Sequence, residues 1–187
     1  MHCHIVNLTA DRPDLVDQAA GLLYDAFRGR TQEWQHFVSA RQEVLESLKE
    51  GRISRVALDG SDAAVGWIGG IPMYAGQVWE VHPLVVAAGR RLQGVGRALV
   101  RDLEDIVRQK GAVTLWAGSD DENNETTLSG VDLYADVPGA IRNVRNLKGH
   151  PYEFYIRVGF TIVGVLPDAN GPGKPDIFLA KRVQQAG

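Results

Sequence analysis

The stretch from Trp79 to Val100 constrains the fold more than any other part of the chain. It opens as W-E-V-H-P-L-V-V, a run with strand character that begins at Val78. Pro83 sits inside this run and has no amide proton for a ladder, so the strand must bulge or lack a partner there. R-R-L-Q-G-V-G-R-A-L-V follows, and at its glycines the period changes from two to that of a helix. From about Gly94 to Lys110, Val95, Leu99, Leu103, Ile106 and Val107 recur on one helical face, and Gly111 closes the helix. V-T-L-W-A is then a further strand. Strand, glycine turn, helix and strand make a βαβ unit from Val78 to Trp116, and the chain around it must be α/β.

The flanks fill in the layout. H-I-V-N-L reads as a first strand. Thr9 or Asp11 is placed to cap a helix with Pro13 in its first turn and Leu15, Ala19, Leu22, Leu23, Ala26 and Phe27 inward. A second helical pattern carries Trp34, Phe37, Val38, Val44, Leu45 and Leu48, with Gly51 as its stop. R-I-S-R-V-A-L, the turn D-G-S-D and A-A-V-G-W-I-G-G-I form a hairpin. Beyond the central unit come a polar stretch from Ser119 to Gly130 and a short helix ending at Gly159. Two closing strands, F-T-I-V-G-V-L and D-I-F-L-A-K-R, are separated by the turn-rich D-A-N-G-P-G-K-P. The order is β-α-α-β-β-β-α-β-α-β-β, with a mixed sheet.

Composition narrows the function. A length of 187 residues predicts one domain, 1–187, and a net charge of -3 argues against nucleic acid as the main partner. The single cysteine, Cys3, forms no internal disulfide and fits a reducing compartment. The first residues lack the pattern of a signal peptide, and no apolar window is long enough to span a membrane, so a cytoplasmic protein without a membrane partner is expected. His2, Cys3 and His4 lack the spaced partners of a metal site, and no metal is expected.

The glycine turn is the candidate binding element. It lacks the third glycine of the dinucleotide fingerprint, and the chain has no G-x-x-x-x-G-K-[ST]. What remains is R-x-x-G-x-G at Arg91, Gly94 and Gly96. The first amides of a helix have no internal partners, the helix dipole favours an anion there, and glycines allow close approach. A plain helix-entry turn is the competing reading.

This motif resembles the pyrophosphate-binding element of the GNAT N-acetyltransferases, which use acetyl-CoA. H-P-Y-E-F-Y-I-R-V-G-F, from His150, resembles that family's second signature. W-E-V-H-P-L-V-V, D-D-E-N-N-E-T-T-L-S, V-D-L-Y, V-G-V-L-P-D-A-N-G and K-P-D-I-F-L-A-K are similar to strings of aminoglycoside 6'-N-acetyltransferases of the enterococcal type, over roughly Val65 to Val183. The first 60 residues match only in layout. The resemblance implies a GNAT fold, with a mostly antiparallel central sheet flanked by helices and the βαβ unit as acetyl-CoA site. It also implies transfer of acetyl to an aminoglycoside 6'-amine by direct attack in a ternary complex, a role in drug resistance, and a homodimer. A peptide, protein or polyamine acceptor, or a non-catalytic acyl-CoA-binding module, are the competing functions.

Acetyl transfer needs a group to take the ammonium proton, a donor for the thioester oxygen and a proton for the thiolate. Glu80 and His82 share one face of their strand by its period of two, with Trp79 and Val81 on the other. By itself Glu80 reads rather as an arginine partner at a sheet edge, and His82 as a hydrogen-bonded strap; the resemblance makes Glu80 the candidate base. The resemblance implies that the Leu84 amide faces the thioester carbonyl and that Val86 pairs with the pantetheine arm. It places Gln93, Val95 and Arg97 with Arg91, Gly94 and Gly96 around the cofactor phosphates. Tyr155 is the candidate acid, or else part of a packing cluster with Tyr152 and Phe154. A polycationic acceptor calls for acidic walls, and Asp120 and Asp121, with Glu122 and Glu125, are the expected ones, although acidic runs are usually solvated loops. Trp79 is a further acceptor contact, with core packing as its competing role.

Overall fold

The computed structural model describes residues 3–30 and 33–184. The chain forms two compact units, Met1–Val113 with Val183–Gly187, and Thr114–Arg182. His2, considered above as part of a metal cluster, lies outside the described residues.

The first unit contains β1 (His4–Asn7), α1 (Pro13–Phe27), α2 (Phe37–Glu46), β2 (Ile53–Leu58), β3 (Ala64–Met73), β4 (Val78–Val86) and α3 (Val95–Gln109). Its strands pair in the order β1-β2-β3-β4, each antiparallel to the next. One face packs Val56, Trp67 and Val85 against Leu15, Val16, Ala19, Ala20 and Leu23 of α1 and Ala40 and Val44 of α2. The other face packs on α3, where a Cβ on Gly70 would lie 2.9 Å from Leu103 Cδ1. Arg55 extends a fork to Asp102 of α3, at 2.7 and 3.0 Å.

The irregularity expected at Pro83 is present. Ile68 pairs with Leu84 and Gly70 with Val81, so His82 and Pro83 together oppose Gly69. The peptide bond between His82 and Pro83 is cis. This bulge changes the phase of β4. Glu80, opposite Ile71, lies on the α1/α2 face, whereas beyond the bulge Val85, opposite Trp67, takes that face and Leu84 and Val86 turn toward α3.

The second unit contains β5 (Thr114–Asp120), α4 (Val137–Arg142), α5 (Tyr152–Arg157), β6 (Thr161–Leu166) and β7 (Asp176–Arg182). β7 lies between β5 and β6 and is antiparallel to both. In the turn-rich loop before β7, the Asp168 side chain accepts from the Gly173 amide at 2.6 Å, and the Gly173 carbonyl accepts from the Gly130 amide at 2.9 Å.

The α/β class and its mostly antiparallel sheet are as expected. Three local readings are corrected. α4 has no counterpart in the order read from the sequence, although D-V-P-G carries its start signal: the Asp136 side chain accepts from the Gly139 amide at 2.9 Å. Neither Thr9 nor Asp11 caps α1, whose N-cap is Arg12 with no side-chain bond. Trp34 precedes α2 with a positive φ of 51°, and Val38 is 77% exposed, so the inward face of α2 begins later than the apolar pattern implied.

Candidate active site

The phase of β4 decides which groups meet. Glu80 and His82 come together with α2 and the turn before it. His82 Nδ1 lies 3.8 Å from Glu80 Oε1, and His82 Nε2 lies 3.7 Å from Glu43 Oε1. Trp34 tilts against the His82 ring at 5.9 Å and meets Phe27 edge-on at 4.9 Å. Burial raises the pKa of Glu80; the charges of His82 and Arg52 oppose that rise, and the negative charge of Glu43 adds to it. No hydrogen bond to the Glu80 carboxylate forms among the described residues, so its charged form lacks the donors that would hold it ionised.

Beside His82 opens a cleft of about 440 Å³, lined by Glu33, Trp34, Ser39, Gln42, Glu43 and Glu46. Ser39, Gln42, Glu43 and Glu46 are spaced i, i+3, i+4 and i+7 along α2, a polar stripe on one face. The sequence carries that stripe, but a polar helical face ordinarily meets bulk water, and nothing in the pattern marks this one as the wall of a cleft. Glu33, Glu43 and Glu46 make it acidic, within the first 60 residues rather than after β5.

Trp79 does not reach this cleft. It is 4% exposed on the α3 face, where its Cε3 lies 3.4 Å from a Cβ placed on Gly70. Alternation along the strand turns it away from Glu80 and into the packing against α3.

The glycine turn is open. Gly94 is the N-cap of α3 at a φ of 90°, no side chain caps the helix, and nothing lies within 4 Å of a Cβ placed on Gly94. The first helical bond runs from the Ala98 amide to the Gly94 carbonyl at 2.9 Å. The N-terminal amides of α3 thus face a clear approach, flanked by the exposed side chains of Arg91, Gln93 and Arg97. Val95 is buried beneath them and anchors the turn. These features fit a diphosphate.

In the second unit the acidic run serves the loop itself. Asp121 is 1% exposed and accepts from the amides of Glu125 at 2.7 Å and Thr126 at 2.8 Å, and from the Ser129 hydroxyl at 2.5 Å. Burial pushes its pKa up, but these hydrogen bonds and the charge of His150 outweigh that and leave it lowered. Asp121, expected as an acceptor contact, is thus buried with both oxygens bonded within the loop. Asp120 is exposed and accepts from Asn170 Nδ2 at 2.6 Å. Tyr155 packs edge-on to Phe154 and Phe160, and burial pushes its hydroxyl well above the usual tyrosine range. It keeps its proton at neutral pH.

A mixed sheet whose fourth strand leads through an open glycine turn into a helix, with a half-buried carboxylate on that strand, is the arrangement that the GNAT resemblance implies for an acyltransferase drawing on an acyl-CoA. The profile of the Acetyltransferase (GNAT) family matches residues 20–129, and the chain belongs to that family. It is similar to an aminoglycoside 6'-N-acetyltransferase solved in complex with coenzyme A, at 40% identity over 98% of this chain and 99% of the other, with a TM-score of 0.92. It is equally similar in sequence to the aminoglycoside 6'-N-acetyltransferase from Enterococcus faecium, at 40% over the same shares, TM-score 0.89. An aminoglycoside 6'-acetyltransferase type Ii shares 35% over 98% and 99%, TM-score 0.73. No curated protein matches the chain. The protein is an acetyltransferase with acetyl-CoA as donor. Among the described residues no group of side chains is arranged to hold a metal ion, and no helix is long and apolar enough to cross a membrane.

Proposed function

We propose that this enzyme acetylates the 6'-amino group of aminoglycosides and thereby confers resistance to them. The observation that carries the reading is the cleft of Glu33, Glu43 and Glu46 beside the Glu80–His82 pair. Aminoglycosides are polycations, and a concave site with several carboxylates and one aromatic wall, Trp34, suits an aminosugar. Relatives at 40% identity over 98% of the chain, described as aminoglycoside 6'-N-acetyltransferases, support it.

Glu80 takes the proton of the bound ammonium, directly or through one water. Its raised pKa makes it a stronger base than an ordinary carboxylate and brings it closer to neutrality, where a general base works best. His82, between Glu80 and Glu43, passes that charge toward the acidic cleft. The amine then attacks directly, in a ternary complex; bound acetyl-CoA supplies the activated acetyl carbon. The C–N bond forms, the C–S bond breaks, the departing sulfur takes a proton, and the nitrogen gives up its surplus proton, by way of solvent, to restore the group that protonated the sulfur. Tyr155 is the proposed donor of the proton to sulfur. The amide of Leu84, just past the bulge, is the proposed donor to the carbonyl oxygen, and the backbone at Val86 the proposed strand-like partner of the cofactor's arm. We further propose a cytoplasmic homodimer.

Release of coenzyme A, followed with kanamycin, tobramycin, a peptide amine and spermidine, tests this. Turnover should appear with both drugs and fall at least about a hundredfold in Glu80→Gln, the usual scale for loss of a general base. Turnover with the peptide or spermidine and none with the drugs refutes it.

A further inference from the structure

The first unit has a second cleft, of about 310 Å³, whose lining includes Thr9, Ser47, Arg52, Ser54 and Lys110. We propose that this cleft binds a small oxyanion, a phosphate or carboxylate group, between Arg52 and Lys110. Neither side chain makes an ion pair or a hydrogen bond among the described residues, whereas the nearby Arg55 is fully engaged by Asp102. Arg52 is half-buried, so its charge is not simply spread into solvent. Arg52 acts at a distance on Glu46 and Glu80 but pairs with neither, and a half-buried cation with a second cation, Lys110, on the same cleft suits an anion. The floor is polar and fixed: Ser47 Oγ bonds the Val44 carbonyl at 2.6 Å and Ser54 Oγ at 2.9 Å, and Trp67 Nε1 donates to Ser54 Oγ at 2.9 Å. The volume exceeds what one oxyanion needs, and Leu48 and Ile106 leave room for a short apolar body.

The site reaches the chemistry through Arg52, which directly precedes Ile53, the partner of Gly70 on β3, while the next residue of β3, Ile71, pairs with Glu80. The charged groups acting on Glu80 are His82 on its own strand, Glu43 on α2 and Arg52 before β2. An anion on Arg52 cancels part of the attraction that favours the ionised carboxylate. Glu80 then holds its proton to higher pH, and the acid limb of the rate profile moves up.

The test uses enzyme saturated with coenzyme A, so that the cofactor's own phosphate site is filled. Inorganic phosphate, and acetate in a parallel arm, are titrated by calorimetry into wild type, Lys110→Gln and Arg52→Gln. Saturable binding of phosphate or acetate should appear in wild type and weaken by about tenfold or more in each variant, as for the loss of one charge-assisted contact. Lys110 is exposed, so its substitution leaves folding intact and the result interpretable even if Arg52→Gln is unstable. Phosphate should raise the midpoint of the acid limb in wild type and leave it in place in Lys110→Gln. Absent saturation with both anions, or affinity unchanged in Lys110→Gln, overturns the site. Saturable binding without movement of the limb overturns its link to Glu80. Neither result bears on which amine is acetylated.

Discussion

Substituting Gly69 by alanine tests the link between the bulge and catalysis. A Cβ at this position would lie 2.1 Å from the His82 carbonyl oxygen and 3.1 Å from its carbon, about 1 Å inside the closest approach that real Cβ atoms make. The obstacle is backbone, so no side-chain rotation relieves it. Either β3 and β4 separate locally or the bulge is expelled. Expulsion shifts the pairing by one residue, and a slip of one residue exchanges the faces of the strand. Glu80 and His82 would then turn away from α2. Overpacking commonly costs about 1–3 kcal/mol, and a backbone clash belongs at or above the top of that range, so we expect a loss of about 2–4 kcal/mol. For a chain of this size that corresponds to a fall in Tm of roughly 5–15 °C. A displacement of about 1 Å in the catalytic groups predicts a loss of about a hundredfold in kcat/KM. Thermal unfolding and coenzyme A release measure the two effects separately. Gly60→Ala is the control, since nothing lies within 4 Å of its Cβ; its stability should stay within about 0.5 kcal/mol of wild type. Gly69→Ala with unchanged Tm and full activity would refute the claim that the bulge sets the site.

Glu43→Gln removes a charge that raises the pKa of Glu80, so the acid limb of the kcat/KM profile should move to lower pH; movement upward contradicts the electrostatic assignment. Glu80→Gln should lose activity yet gain stability at neutral pH. A carboxyl whose folded pKa is raised stabilises the fold fully below its unfolded pKa and loses that contribution as pH rises through the folded value, so the gain should fade in acid; equal melting curves at pH 7 would count against it. Asp121→Ala leaves the Glu125 and Thr126 amides and the Ser129 hydroxyl without their acceptor and should cost about 2–4 kcal/mol in chemical denaturation. Because the folded pKa of Asp121 is lowered, its contribution is present above the unfolded pKa and disappears as pH falls through the folded one, so variant and wild type should converge in acid.

The sequence makes the strand–turn–helix unit legible because periodicity and glycine placement are local. Leu99, Leu103 and Val107 must share a helical face, and Gly94 must take a left-handed turn, whatever surrounds them. Pro83 likewise announces a disturbed ladder. Its consequence is not local. Only the pairing with Gly69 shows that two residues oppose one, and so that Leu84 and Val86 leave the face that Glu80 and His82 occupy. The acidic cleft is hidden for the same reason. Ser39, Gln42, Glu43 and Glu46 are an unremarkable polar stripe until the phase of β4 points His82 at them.

Glu80 and Asp121 show most clearly what residue type leaves undecided. An aspartate run after β5 and a glutamate on β4 look alike as candidates to meet a cation or take its proton. What separates them is the supply of donors. Asp121 is enclosed by two amides and a hydroxyl, which hold it ionised below the ordinary aspartate range and use up its oxygens on the loop. Glu80 is partly buried without such donors; the His82 ring nitrogen lies 3.8 Å away, beyond hydrogen-bond reach, and burial raises the pKa of the carboxyl. A proton taken by Asp121 would have to displace hydrogen bonds that the loop needs. A proton taken by Glu80 relieves a desolvated charge, and this difference in cost is what the proposed reaction relies on in assigning the amine's proton to Glu80 rather than Asp121.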